Sequence, residues 1–134
     1  TQKADANRNF CKFIDKNYRE IIQNDDTELT LSHNLFRKHV NPMLDQEEPV
    51  YFILLDNLRF NQWRAISETI NELFRTEHED MYMSILPTTT QYCRNSIFSG
   101  LRPSEIESTF PDKWSNDEDE GGKNMYDQES ILHI

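Results

Sequence analysis

The feature that most constrains the fold of this sequence is an almost unbroken apolar run, PVYFILLD, at residues 49–56. Strand-forming residues fill the run without the polar alternation of a half-exposed strand, and acidic residues precede it. A strand that is covered on both faces has this pattern, which is typical of parallel sheets packed between helices. The run therefore predicts a buried strand that ends at the carboxylate of Asp56.

A second strand-forming run lies at residues 80–86, after a segment at 61–76 whose apolar residues recur at helical spacing. Strand, helix and strand in this order predict a βαβ unit, whose crossover is expected to be right-handed. We therefore expect an α/β fold, in which a helical segment at residues 1–48 leads into the βαβ unit of a parallel sheet within residues 49–134. The length of 134 residues is that of a single domain.

Two helices are expected before the first strand. Residues 6–23 carry one apolar stripe, which predicts an amphipathic helix. The second helix is expected to begin at a Ser32 cap. It should end or kink near Val40 and Asn41, because Pro42 has no amide proton to donate and clashes with the preceding turn.

Three further helices are expected after the second strand. The first covers residues 91–99 and is ended by Gly100, and a short one begins at Pro103. An acidic, glycine-containing loop at 115–124 then precedes a last helix at 125–134. The carboxyl-terminal third of the chain is therefore expected to be helical apart from that loop.

The composition is that of an acidic globular domain, with a formal net charge of −10 and a mean hydropathy of −0.82. An acidic surface opposes non-specific binding to nucleic acid, which needs a cationic footprint. No apolar stretch reaches the length of a membrane span, and the polar amino-terminal residues do not form a signal peptide. Cys11 and Cys93 have no metal-type spacing, so we expect reduced thiols in a cytoplasmic protein, with Cys11 on or near the apolar face of a helix.

Residues that can carry chemistry follow both predicted strands. Asp56 ends the first strand, and the sequence PTTT, at residues 87–90, follows the second. Ligands of open α/β sheets bind outside the carboxyl ends of the strands, so we expect these residues to share one edge. A carboxylate binds divalent metals, a metal-bound threonine hydroxyl is an activated nucleophile, and a helix start favours phosphate. The pattern therefore predicts a metal, a nucleophile and a phosphate in one small volume.

The two motifs resemble those of a known family. VYFILLDNLRFNQW, which begins at Val50, and ILPTTTQYCRNSIFSGLRPSEI, which begins at Ile85, are similar to the amino-terminal part of a PglZ domain in the alkaline phosphatase superfamily. The resemblance is strongest to the PglZ portion of PorX-type two-component response regulators of Bacteroidetes, in which a helical segment similar to NRNFCKFIDKNY precedes the domain. It extends from about Asn7 to the end of the chain.

The resemblance implies roles for individual residues. Phosphodiesterases of the superfamily have a Pro-Thr-x-Thr run and a Gly-Leu-x-Pro motif ten residues after the nucleophile, and Gly100 and Pro103 match the second motif if Thr90 is the nucleophile. Asp56 is then a metal ligand, and Thr90 is both a ligand and the nucleophile, which forms a phosphothreonine in a site with two zinc ions. The implied activity is hydrolysis of a phosphoester or oligonucleotide-type substrate, in a regulator that a sensor kinase controls through a receiver domain.

The sequence departs from the family in its metal ligands, because the further aspartates and histidines of the family come from strands farther downstream. Of the four histidines, His33, His39 and His78 are expected at surface positions of helices or helix ends, and His133 is near the terminus. We therefore expect an incomplete portion of an alkaline-phosphatase-like domain, from a longer regulator. One carboxylate and one hydroxyl are too few ligands, so we expect this chain alone neither to hold zinc tightly nor to turn over substrate.

Several of these residues also have simpler structural roles as alternatives to catalysis or binding. Thr88 and Thr89 are expected to cap the helix or to pack, and Asp56 is also placed to cap a helix. Three polar residues near the two motifs are assigned either to orienting a phosphate oxygen or to surface contacts: Arg59, Arg94 and Asn95. The alternative function is a non-catalytic signalling or interaction module with vestigial site residues, in which the first helix docks a partner or a second copy as a homodimer.

Overall fold

The computed structural model describes residues 1–25, 27–45 and 48–114. The α-helices in these residues are α1 (Gln2–Gln23), α2 (Asn41–Leu44), α3 (Phe60–Asn71), α4 (Thr90–Ser99) and α5 (Pro103–Thr109). Shorter helical turns are two 3-10 turns, Ser32–Asn34 and Pro111–Lys113, and one π-helix, Phe36–Val40. The acidic loop predicted at 115–124 and the helix predicted at 125–134 lie outside the described residues.

The helices predicted at 6–23, 61–76 and 91–99 are confirmed, with shifted bounds. The second predicted helix is instead a 3-10 turn, a π-helix and the short α2. The helix predicted at 61–76 forms as α3 but ends at Asn71. Gly100 ends α4 as predicted, because it adopts a left-handed φ of 68° that a residue with a side chain rarely takes. The residues of α5 begin with Pro103, whose missing amide proton is not needed in a first turn.

The predicted effect of Pro42 is confirmed, whereas the predicted cap at Ser32 is wrong. The π-helix Phe36–Val40 gives way to α2 at Asn41, directly before the proline. Ser32 is itself the first residue of a 3-10 turn, after Leu31 in an extended conformation. Its hydroxyl is used elsewhere: Ser32 Oγ accepts a hydrogen bond from the amide of Ile85 at 3.2 Å.

The prediction of an α/β fold with a βαβ unit is wrong, because the described residues contain no strand and no sheet. Residues 49–55 have an irregular backbone, and Tyr51 and Ile53 are 84% and 77% exposed. An apolar run favours a strand only where neighbouring backbone completes its hydrogen-bond ladder. Here the run packs against the rest of the chain through Phe52 instead. The centroid of its ring lies 4.7 Å from that of Phe36 and 6.0 Å from that of Phe98.

The second predicted strand, at 80–86, stops after one isolated parallel bridge between Leu31 and Met83. The amide of Met83 donates to the carbonyl oxygen of Thr30 at 2.8 Å. Two residues later the amide of Ile85 donates to the Ser32 side chain instead of a carbonyl group, because the opposing backbone has turned into the 3-10 turn. The ladder therefore cannot continue at this point.

The core of the described residues lies between this bridge and the two helices that follow it. Its buried apolar side chains are Leu31, Val40, Ile85, Ile97 and Ile106. The 3-10 turn Ser32–Asn34 packs against α4. Asn34 fixes the turn, because its Oδ1 accepts a hydrogen bond from the Leu31 amide at 2.7 Å and its Nδ2 donates to the Leu29 carbonyl oxygen at 3.4 Å.

The expectation that His33 lies at the surface is wrong, since only 7% of the residue is exposed. Neither ring nitrogen has a hydrogen-bond partner among the described residues. Burial lowers the pKa of His33, and the positive charge of Arg102 lowers it further. The imidazole is therefore held in its neutral form within the core.

The first helix is amphipathic, as predicted, but its apolar stripe is not covered. Phe10 and Phe13 remain about half exposed, and α1 has no buried residue. Cys11 is exposed beside them, along a groove that Ile14 and Leu86 also line. No helix among residues 1–25, 27–45 and 48–114 has both the length and the apolar character that a membrane crossing requires.

Candidate functional site

A cavity of about 590 Å³ lies between the turn that follows the first apolar run and the amino-terminal end of α4. Three segments contribute described lining residues: residues 54–58, residues 82–88 and the first two turns of α4. Five of the polar side chains that line it belong to the motifs identified in the sequence: Asp56, Asn57, Thr88, Thr90 and Arg94. The cavity is therefore where the predicted chemistry can be tested against geometry.

The α4 side of the cavity is formed by Thr90 and Arg94. Thr89 is the N-cap residue, with extended dihedral angles and no side-chain capping bond, so Thr90 is the first helical residue. Residues four apart lie on the same face of a helix, which brings Thr90 and Arg94 to one side. The amino-terminal end of a helix carries partial positive charge, so an anion in this position is favoured.

The opposite side is formed by Asp56, which lies in a turn with Asn57. Asn57 adopts a positive φ of 59°, a conformation that asparagine tolerates better than most residues with a side chain. This turn directs the chain from the apolar run towards α3, which begins at Phe60. Asp56 thus reaches the same cavity as Thr90, although a turn and not a sheet edge brings it there.

The other two predicted binding residues lie elsewhere. Arg59 is the N-cap residue of α3, and its amide donates a hydrogen bond to Gln62 Oε1 at 2.9 Å. It is exposed and is not among the described residues that line the cavity. Asn95 belongs to α4 but is buried in the core. Of the three polar residues that the sequence analysis named, the structure places only Arg94 in the cavity.

Cys93, which was not predicted as a site residue, lines the cavity three residues after Thr90. Its thiol lies 3.5 Å from the carbonyl oxygen of Ile85 and donates to it. Burial raises the pKa of Cys93, and hydrogen bonds with Ser84 and Ser32 lower it by less. Cys93 is therefore a protonated hydrogen-bond donor at neutral pH.

We expect Cys93 to resist alkylation at pH 7.5, because its thiolate fraction is small and the thiol is half-buried. Cys11 is exposed on α1 and should react first. The measurement is a time course with iodoacetamide, followed by peptide mass spectrometry of both sites in the same sample. Equal rates at Cys11 and Cys93 would contradict the protonated state assigned to Cys93.

The donor groups of the cavity are too few for a zinc ion. Zinc takes four ligands, of which at least three are protein side chains in catalytic sites. Asp56 and Thr90 are oxygen donors of a suitable kind, but they are only two. The other polar side chains of the described lining are neutral hydroxyl groups, the Asn57 amide, the protonated Cys93 and the cationic Arg94, and none of these is a typical zinc ligand. The described residues of this cavity therefore do not make a zinc site by themselves.

Comparison with known proteins identifies one family. The sequence model of the BREX system PglZ alkaline phosphatase-like domain matches residues 35–133, which is more than half of the 134 residues. The match includes both sides of the cavity, since Asp56 and Thr90 lie within it. A search among curated proteins gave no significant match.

Proposed function

Because this chain belongs to the PglZ family of alkaline phosphatase-like domains, we propose that its cavity binds a phosphoester and that Thr90 is the nucleophile. The observation that carries the proposal is the presence of Asp56, Thr90 and Arg94 in one cavity at the start of a ten-residue helix. The family match supports phosphoesterase chemistry, and the cavity supports the choice of residues.

Each side of the cavity has a separate role in this proposal. The first-turn amides of α4 and the guanidinium of Arg94 bind the negative oxygens of the phosphoryl group. The Thr90 hydroxyl lies on the same helix face, so it is presented to the phosphorus atom of a group bound there. Asp56 faces this group from the other side, where a carboxylate can take part only if a cation or a proton offsets its charge.

The proposed reaction has two steps. In the first, a bond forms between Thr90 Oγ and phosphorus while the ester P–O bond breaks, and the hydroxyl proton is transferred to the leaving alcohol. In the second, water cleaves the phosphothreonine, which releases the phosphate product and restores the hydroxyl group. This division of one displacement into two is the general advantage of a covalent nucleophile.

The proposed site can bind zinc only if residues outside the described ranges supply the missing ligands. We propose, from the resemblance, that two zinc ions are bound in the complete gene product, where Asp56 and Thr90 contribute two of the ligands. A metal at Thr90 would supply the activation that an unassisted hydroxyl lacks. We also propose that the domain works within a PorX-type two-component response regulator, because the residues of α1 resemble the segment that precedes the domain there.

The substrate-binding role of Arg94 is tested by Arg94→Gln in the complete gene product, with bis(4-nitrophenyl) phosphate as substrate. Charge-assisted hydrogen bonds contribute about 1.5–3 kcal/mol, so we expect KM to rise roughly 10- to 100-fold with a smaller change in kcat. The matched control is Arg64→Gln, because Arg64 is exposed and pairs with Glu79 at 2.9 Å outside the cavity. A KM for Arg94→Gln that equals the wild-type value would contradict this role.

A second candidate function is a non-catalytic signalling or interaction module. The observation that favours it is the apolar stripe of α1, where Phe10 and Phe13 remain half exposed. In this alternative the stripe pairs with a second copy of the chain and the cavity residues are vestigial. Absence of phosphodiester hydrolysis by the wild-type gene product, with its zinc ligands intact, would favour this candidate over the enzyme.

A further inference from the structure

Three potential metal ligands meet beside residues 50–52 of the first apolar run, and they are not among the described residues that line the cavity of Asp56 and Thr90. His39 belongs to the π-helix Phe36–Val40, and His78 and Asp80 lie in the irregular segment that precedes Met81. One donor atom from each residue lies within 4.8 Å of the other two. The imidazole rings are stacked with their centroids 6.5 Å apart, and His78 Nε2 lies 3.8 Å from Asp80 Oδ2.

We propose that His39, His78 and Asp80 form a binding site for a divalent transition metal of the zinc type. Two imidazoles and one carboxylate are a common three-ligand set for zinc, which leaves a fourth position open. The three residues also line one cavity of about 310 Å³, so a water molecule or a small ligand can occupy that position. The site does not depend on the proposed phosphoesterase function.

The surroundings of His39 suit its role as a metal-coordinating residue. Thr30 Oγ1 lies 2.9 Å from His39 Nε2, within hydrogen-bonding distance. When Nε2–H donates to this hydroxyl, the lone pair is on Nδ1, which is then free to bind a metal. Metal-bound histidines commonly have such an outer partner, because it fixes the tautomer and the ring orientation. The Thr30 contact therefore prepares His39 as a ligand.

The donor atoms need only a small movement to reach binding geometry. Bonds of about 2.0–2.2 Å to a tetrahedral zinc ion place its ligands roughly 3.3–3.5 Å from each other. The side chains of His78 and Asp80 are 71% and 58% exposed, so they can rotate toward His39 without displacing the core. The sequence analysis expected His39 and His78 only as separate surface residues, because nothing in their spacing indicates that they meet.

A simpler explanation is that the cluster is a surface ion pair beside a half-buried histidine. That explanation accounts for His78 and Asp80, whose contact at 3.8 Å is longer than a hydrogen bond. It does not account for the position of the His39 ring, which is stacked beside His78 while the Thr30 hydroxyl lies at its Nε2. Coordination of one cation would explain why a donor atom of each of the three residues lies close to the other two.

The test is calorimetric titration of the metal-free chain with ZnCl₂, and with CoCl₂ to record the visible absorption of a tetrahedral site. We expect one ion per chain at micromolar or tighter affinity. Thr30→Val, which removes the outer partner of His39, should weaken binding about 10-fold. His78→Ala and Asp80→Asn each remove a ligand on the exposed side and should weaken it by more than that.

The controls separate this site from others on the chain. Glu77→Gln removes a neighbouring exposed carboxylate that pairs with Arg75, and it should leave the affinity unchanged. Asp56→Asn should also leave it unchanged, so failure of this proposal and failure of the phosphoesterase proposal can be told apart. The proposal would be overturned if the zinc affinity were unchanged in His78→Ala and in Asp80→Asn, or if the wild-type chain bound no zinc below millimolar concentration.

Discussion

Thr90→Val is expected to lower kcat for phosphodiester hydrolysis by the complete gene product roughly 10³- to 10⁶-fold, as loss of a covalent nucleophile does in other enzymes. Valine keeps the branched shape of threonine and removes only the hydroxyl, so α4 and the cavity should persist. The effect should fall on kcat and not mainly on KM, because the helix amides and Arg94 remain to bind the phosphoryl group. The assay is release of 4-nitrophenolate from bis(4-nitrophenyl) phosphate.

Thr89→Val is the matched control for this substitution. Thr89 is the adjacent residue, it is exposed, and its side chain makes no capping hydrogen bond at the start of α4. It is also not among the described residues that line the cavity. We expect Thr89→Val to retain kcat within a small factor, so equal losses in the two variants would show that the threonines act on helix stability and not on chemistry.

Ile85→Ala is expected to destabilise the chain by about 2–5 kcal/mol, because it leaves a cavity in the core. Ile85 is 0% exposed, and it lies in the second apolar run, where its amide donates to Ser32. The measurement is urea unfolding followed by circular dichroism, with the slope of the transition compared between variants. A large loss at this position is the expected signature of a core centred on residues 31–34, Ile85 and α4.

Ile53→Ala is the matched control, since it makes the same chemical change in the first apolar run. Ile53 is 77% exposed, so its truncation should change the free energy of unfolding by about 0.5 kcal/mol or less. Under the βαβ fold that the sequence predicted, Ile53 would be buried, because the run at 49–56 would be a strand covered on both faces. A loss at Ile53 as large as that at Ile85 would therefore contradict the arrangement of the core described above.

The parts of the fold that depend on local physics were predictable from the sequence. Helix periodicity, the left-handed Gly100 and the proline at the start of α5 each act within a few residues, and the structure confirms them. Strand pairing is different, because it depends on which backbone lies alongside. The run at 49–56 has the composition of a buried strand, but in the described residues no neighbouring strand pairs with it.

The sequence correctly placed two residues of the candidate site together, but the structural reason for their placement is different from the predicted one. Asp56 and Thr90 were expected to meet at a sheet edge, and they do line one cavity. Asp56 reaches the cavity because Phe52 packs the run against Phe36 and Phe98 and because the chain turns at Asn57. Their catalytic roles stay predictions, because placement in a cavity is not activity.

Other parts of the site could not be read from the sequence. Arg59 and Asn95 were named from their closeness to the motifs, which does not determine the direction of a side chain. The cluster of His39, His78 and Asp80 joins segments about forty residues apart, so no local spacing could reveal it. Cys93 did have a usable signal, because it lies three residues after Thr90 and so on nearly the same face of α4.

The central claim is that Thr90 forms a covalent bond to phosphorus. The most direct test is to mix the complete gene product with bis(4-nitrophenyl) phosphate, quench with acid during turnover, and map adducts by peptide mass spectrometry. We predict a 4-nitrophenylphosphoryl adduct on the peptide that contains Thr90, because only one of the two ester bonds of the substrate has broken at that stage, and loss of the adduct in Thr90→Val. Steady hydrolysis with no adduct on that peptide, or an adduct at another residue, would contradict the assignment of Thr90 as the nucleophile.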